Sequence, residues 1–317
     1  MNSKDTAILA KDLSKHYKND VIAVDSIDLS VPINTIYALL GPNGAGKTTT
    51  VSILSTLVKA TSGTATVMGF NVAGQADRVR RQIGVTFQEI VLDPDLTGRE
   101  TLDFHARLYG IKKHIRSVKV DELLKLVELK EASSRRTNTY SGGMKRRLEL
   151  ARGLITSPRV LFLDEPTQGL DPQDRANIWT YIKDLKENTD LTVLLTTHYM
   201  EEAEALADHV GIMDNGKIVT EGSPAELIEN MGADNIKIMG TGDSKAFDKA
   251  IRPLSYVESI NISDGTIQIG VDSGNKRLAG IVGLAKDNNF KIEDISVARP
   301  SLGDVFLKYT GRRLRDK

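Results

Sequence analysis

Short runs that are apolar at nearly every position recur along the chain, at Ile36–Leu40, Ile83–Phe87, Val160–Leu163, Thr192–Thr196 and Val210–Met213. The segments between them carry apolar residues at helical spacing. A run without alternation has both faces buried, the pattern of a parallel sheet covered by helices. Ahead of Gly41, Ala7–Lys11 and Val21–Val31 read instead as antiparallel strands. From about residue 93 to residue 139 the strand pattern stops. Helices are predicted there over Arg99–Tyr109 and Val118–Leu129, and a longer one over Met144–Thr156, so residues 93–158 form a helical insertion.

The pattern changes near Asn230-Met231-Gly232. Beyond it we expect strand Asn235–Met239, helix Ser244–Ile251, strands Val257–Ile262 and Thr266–Val271, helix Lys276–Asp287, strand Lys291–Val297 and a last helix, Leu302–Tyr309. That βαββαβ order is that of a small ferredoxin-like α+β module. The expected domains are residues 1–230 and 235–317. A length of 317 residues suits such a division at about 150 residues per domain. The basic stretch Gly311–Lys317 reads as a solvated end.

Charge and composition narrow the function classes. Lysine plus arginine is 42 and aspartate plus glutamate is 42, so no overall positive charge attracts nucleic acid, and none is expected as a partner. Cysteine is absent, which excludes disulfides, zinc–thiolate sites and thiol catalysis. No run approaches the roughly 18–20 apolar residues of a spanning helix. Charges at Lys4, Asp5, Lys11, Asp12 and Lys15 interrupt any leader-like apolar core. We therefore expect a cytoplasmic chain that works at a membrane only if a partner holds it there.

The segment Gly41-Pro42-Asn43-Gly44-Ala45-Gly46-Lys47-Thr48 fits G-x-x-x-x-G-K-[ST], between a predicted strand and a helix. Glycines let backbone amides curl round phosphate oxygens, and the helix start favours an anion. Lys47 would reach the β- and γ-phosphates, Thr48 would bind Mg²⁺, and Thr49 completes the segment. Val160–Leu163 then ends in Asp164 and Glu165. Asp164 is a candidate Mg²⁺ ligand, and Glu165 a candidate general base for the water that attacks the γ-phosphate. Taken alone, Glu165 could equally be a surface acid at a strand end. Ser141-Gly142-Gly143 opens the helix after it as a second anion site or as a plain N-cap.

Together these residues resemble one family, the ABC-type ATPases. Tyr140-Ser141-Gly142-Gly143-Met144 looks like its signature, Thr86-Phe87-Gln88 its Q-loop, Gly169-Leu170-Asp171 its D-loop and Thr196-Thr197-His198 its switch histidine. Tyr17 sits where the family stacks an aromatic ring on adenine. The resemblance implies an α/β P-loop NTPase fold with an antiparallel β subdomain and a helical insertion. It also implies head-to-tail pairing with a second copy, with two ATP molecules at the interface and each Ser141 capping the γ-phosphate of the other subunit. In the family His198 orients Glu165, Gln88 touches Mg²⁺ and water, and Asp171 orders the interface. As a helix cap before Pro172, Asp171 has a second, purely structural reading.

The signature here begins with Tyr140 and ends in Met144, and the D-loop carries Gln168-Gly169. Those variants, Thr197–Glu204 and Pro300–Gly311 resemble the daunorubicin-resistance branch of drug exporters. That branch implies integral membrane permease subunits as partners and a place on the inner face of the membrane. The alternative is a soluble or regulatory ABC ATPase not coupled to transport.

Overall fold

The structure is a computed structural model describing residues 5–18, 21–231, 234–263, 266–298 and 300–311. It divides into two compact units, one running to Ser223 and the other starting at Pro224. The first unit begins with β1 (Thr6–His16), β2 (Ile22–Pro32), β3 (Ile36–Leu40), α1 (Lys47–Leu54), β4 (Ser62–Val67), β5 (Phe70–Asn71), α2 (Ala76–Arg80) and β6 (Ile83–Thr86). The helical insertion follows as α3 (Gly98–Leu108), α4 (Lys113–Leu126) and α5 (Gly142–Gly153). The unit ends with β7 (Val160–Asp164), α6 (Pro172–Asn188), β8 (Thr192–Thr197), α7 (Met200–Leu206), β9 (His209–Asp214) and β10 (Lys217–Gly222).

Its larger sheet has the order β10-β9-β3-β8-β7-β6, parallel throughout except for the β10 edge. Every residue of β3, β7 and β8 is buried, as their unbroken apolar runs require. Register places the site. Leu40 lies opposite Thr197, and Asp164 opposite Thr196, so the three central strands end side by side. Loops leaving such adjacent carboxyl ends form the usual ligand crevice of open α/β sheets.

The smaller sheet, β2-β1-β4-β5, is antiparallel. β1 runs five residues beyond the expected Lys11, to His16. Its register shifts between Ala10 and Leu13, where Asp12 adopts φ 48°. Lys11 and Asp12 are both exposed, so this bulge breaks the alternation that marks a strand. The short α3–α5 insertion is held by caps: Thr97 and Glu100 form a reciprocal capping box, and Ser141 accepts from the Met144 amide at the start of α5.

In the second unit α8 (Pro224–Glu229) precedes β11 (Asp234–Gly242), α9 (Ser244–Ile251), β12 (Val257–Ser263), β13 (Thr266–Val271), α10 (Gly274–Asp287), β14 (Phe290–Ala298) and α11 (Leu302–Thr310). The sheet order β12-β13-β11-β14, antiparallel at every pair, interleaves two βαβ halves in the split arrangement. Ile236, Ile238, Phe247, Ile267, Ile269, Ile281 and Phe290 fill its core, with the Phe247 and Phe290 rings stacked 5.0 Å apart. α8 packs against α11, and its Leu227 is buried, so it belongs with this unit although residues 224–229 fall in the expected first domain. Gly232 of the expected break and residues 312–317 of the basic stretch lie outside the described residues.

Candidate functional site

The phosphate loop leaves β3 at Gly41 and enters α1 at Lys47. A Cβ at Gly41 would lie 2.2 Å from the Met213 carbonyl oxygen. At Gly46, with φ 107°, it would lie 2.2 Å from that of Ala23. Both positions exclude a side chain because neighbouring backbone comes too close. α1 differs from α3, α5, α6 and α11 in having no side-chain cap at its start, and its first turn holds no acid. Its leading amides and positive helix end are thus left for an anion.

Lys47 is buried at 4% exposure. Its ammonium donates to the carbonyls of Gly41 at 2.7 Å and Pro42 at 3.1 Å and pairs with Glu165 Oε1 at 3.3 Å. Burial lowers the Lys47 pKa, and the Glu165 charge opposes that shift. Thr48 Oγ1 donates to Asp164 Oδ1 at 3.1 Å, and Thr196 Oγ1 donates to the same oxygen at 2.5 Å.

Glu165 stands at the end of β7 with φ 48°, left-handed backbone that is costly for a residue with a Cβ. Its amide donates to Thr196 at both the carbonyl, 3.1 Å, and Oγ1, 3.0 Å. The turn aims the carboxylate between Lys47 and His198, whose Nδ1 is 2.9 Å from Glu165 Oε2. Burial pushes this carboxyl up, but the hydrogen bond with His198 and the Lys47 charge outweigh it and hold Glu165 below its ordinary value.

A cleft of about 480 Å³ lies over the loop, lined by Tyr17, Val21 to Ala23, Pro42 to Thr49, Gln88 and Glu165. Tyr17 is 43% exposed on its wall, with the Lys15 ammonium 5.1 Å from the ring centre. The side-chain amide of Gln88 donates to Gln168 Oε1 at 2.6 Å. Ser141, Gly142, Gly143 and Asp171 are not among the lining residues. Ser141 and Gly142 are exposed, whereas Gly143 is buried against Asp174, whose carboxylate leaves no room for a Cβ. Asp171 caps α6, accepting from the Asp174 amide at 2.9 Å with Pro172 next in line. Sequence reasoning missed Thr196 and Arg146, which bind the Asp164–Pro166 segment largely through backbone atoms.

A family profile described as ABC transporter matches residues 24–168. The daunorubicin resistance ATP-binding protein DrrA3 of Streptomyces coeruleorubidus is 39% identical over 98% of this chain and 99% of its own length. The chain belongs to the ABC transporter ATP-binding proteins. The linearmycin resistance ATP-binding protein LnrL of Bacillus subtilis is 36% identical, covering 97% of this chain and 99% of that protein. Among solved structures, cbiO1 of Clostridium perfringens, part of the ABC transporter complex cbiONQ, is similar with TM-score 0.66 and 25% identity over 72% of this chain and 92% of its own. A dimeric ATP-binding cassette in a post-hydrolysis state with ADP and Pi is similar with TM-score 0.62 and 26% identity over 68% of this chain and 98% of that one. This ABC cassette is accordingly an ATP-binding ATPase. No helix among the described residues is long and apolar enough to cross a membrane.

Proposed function

We propose that this chain is the ATPase subunit of an exporter of drug-like or lipid-like compounds, working as a pair of copies on the inner face of a membrane against separate permease subunits. The reading rests chiefly on one observation, the Glu165 carboxylate held between Lys47 and His198 at the rim of the phosphate loop. The export reading draws on the drug-resistance relatives. The pairing of copies draws on Ser141 and Asp171, which carry family motifs yet lie outside the cleft of their own chain.

Thr48 Oγ1 and Asp164 Oδ1 provide two hard oxygen donors 3.1 Å apart, a set suited to Mg²⁺, which completes its shell with phosphate oxygens and water. When bound, Mg²⁺ would neutralise charge developing on the β- and γ-phosphate oxygens. The protein's own groups do the rest. The uncapped start of α1 receives the phosphates. Lys47 exchanges its pairing with Glu165 for the phosphate oxygens, a stronger anion. Released from that cation, the Glu165 carboxylate becomes a better proton acceptor, still aimed by His198 at the attacking water. Tyr17 offers its exposed ring to the adenine.

Glu165→Gln keeps the shape and removes the proton acceptor. ATP binding should persist while hydrolysis slows roughly 10²- to 10⁴-fold, the scale of a positioned base. Held with Mg-ATP, the same variant should retain a polypeptide with several spanning helices from detergent-solubilised membranes, identified by mass spectrometry. Unchanged turnover would remove Glu165 from its role, and recovery of soluble partners alone would overturn the transporter reading.

A further inference from the structure

Arg146 lies on α5, is 4% exposed and forms no ion pair among the described residues, an unusual state for a buried cation. Its guanidinium is spent on backbone instead. Nε donates to the Pro166 carbonyl at 2.6 Å, Nη1 to Phe87 at 2.6 Å, and Nη2 to Asp164 at 3.0 Å and Glu165 at 2.8 Å. Burial disfavours the charge, while the fields of Glu149, Glu202, Asp164 and Glu165 favour it. Charge-assisted bonds from one rigid fork therefore grip every carbonyl from Asp164 to Pro166, together with the carbonyl that precedes Gln88.

We propose that Arg146 is a positioning residue for hydrolysis: it holds Glu165 in its left-handed turn and binds that turn to the Gln88 segment as one body. Thr196 fixes the amide of Glu165 and Arg146 fixes its carbonyl, so both ends of the strained residue are pinned. Either pin alone leaves one peptide free to rotate, and with it the carboxylate. A lysine keeps the charge but offers three donors round a point, and cannot serve carbonyls that a planar fork reaches from two sides. The inference rests on Glu165 acting as the base.

The test is steady-state kinetics and equilibrium Mg-ATP binding on full-length Arg146→Lys and Arg146→Gln, alone and combined with Glu165→Gln, with rates normalised to nucleotide-binding sites. Arg146→Lys should lower kcat about 10- to 100-fold, the usual effect of losing a partner that orients a site residue. Its nucleotide affinity should stay within about twofold of the parent's, the scatter expected of an uncoupled site. Against Glu165→Gln the same change should cost almost nothing more, because the group it positions is gone. A purely structural role would lower the active fraction equally in both backgrounds and leave the normalised kcat intact. Unchanged kcat, a loss confined to KM, or an equal fold-loss on top of Glu165→Gln would each overturn the proposal. Should both Arg146 variants fail to fold, Pro166→Gly keeps the guanidinium and loosens the segment it grips. Loss of kcat with retained binding supports the proposal there, and full kcat overturns it. Full turnover in Glu165→Gln alone would instead sink the base reading on which this one stands.

Discussion

The two units bury different chemistry. The first places Lys47, Arg146, Glu149, Asp164, Glu165 and Glu202 below 5% or so of exposure, with several threonines. Beyond Asp214 no polar or charged side chain is buried among the described residues, and the core of the second unit is isoleucine, valine, phenylalanine and alanine. Burying charge is costly unless each group finds partners. The first unit accepts that cost where three buried strands end together, which is where its nucleotide chemistry is expected. The second shows no such buried charge among the described residues, and its βαββαβ core is packed from apolar side chains. Buried charge, more than fold class, distinguishes the unit that carries the phosphate loop from the second unit.

That contrast can be broken most forcefully in the second core. Phe247→Ala removes a fully buried ring stacked on Phe290 and should destabilise the second unit by about 3–5 kcal/mol, the usual range for a core phenylalanine. Amide exchange should speed up across β11, β13 and α9 while ATP affinity stays as it was. A matching loss of ATP affinity would show that the units do not store their functions separately.

A subtler effect distinguishes two glutamates within the first unit. Glu202 accepts from Thr167 Oγ1 at 2.7 Å and Trp179 Nε1 at 3.0 Å, and burial raises its pKa above the ordinary 4.5. Its stabilising contribution is complete below that ordinary value and is lost as pH rises through the raised one. Glu165 is shifted down, so its contribution is present above 4.5 and lost as pH falls. Glu202→Gln should therefore lack a destabilisation that the parent acquires as pH climbs from 4.5. Melting curves across that range should converge or cross, and parallel curves would refute the assignment. Smallest of all is the effect of removing residues after about 235 on nucleotide binding, which should be none. A folded truncated protein that no longer binds ATP would contradict it.

Much of the reaction unit was legible because its motifs are contiguous and chemically distinctive. Gly41–Thr48 declares itself between a strand and a helix, Asp164 and Glu165 stand where the apolar run Val160–Leu163 ends, and His198 is read from its place in the order of the family's motifs. The bounds of β3, α9 and β13 match the hydrophobic pattern residue for residue, since each is a clean run or face. Strands without a buried run were not legible. β4 and β10 are largely exposed or half-buried, and their sequences carry no buried run. α4 starts at Lys113 rather than Val118 because its first turn is charged. Arg146 and Thr196 escaped for another reason. They act on carbonyls and amides 18 to 59 and 31 positions away, and a backbone group leaves no letter in the sequence to pair with.

The left-handed backbone at Glu165 has an evolutionary consequence. Such a conformation costs a side-chain-bearing residue roughly 1–2 kcal/mol, and glycine relieves it. At this position, then, drift toward greater fold stability and selection for turnover point in opposite directions. A lineage released from selection for hydrolysis would gain stability by discarding this glutamate, so its persistence in a descendant would be a record of continued use.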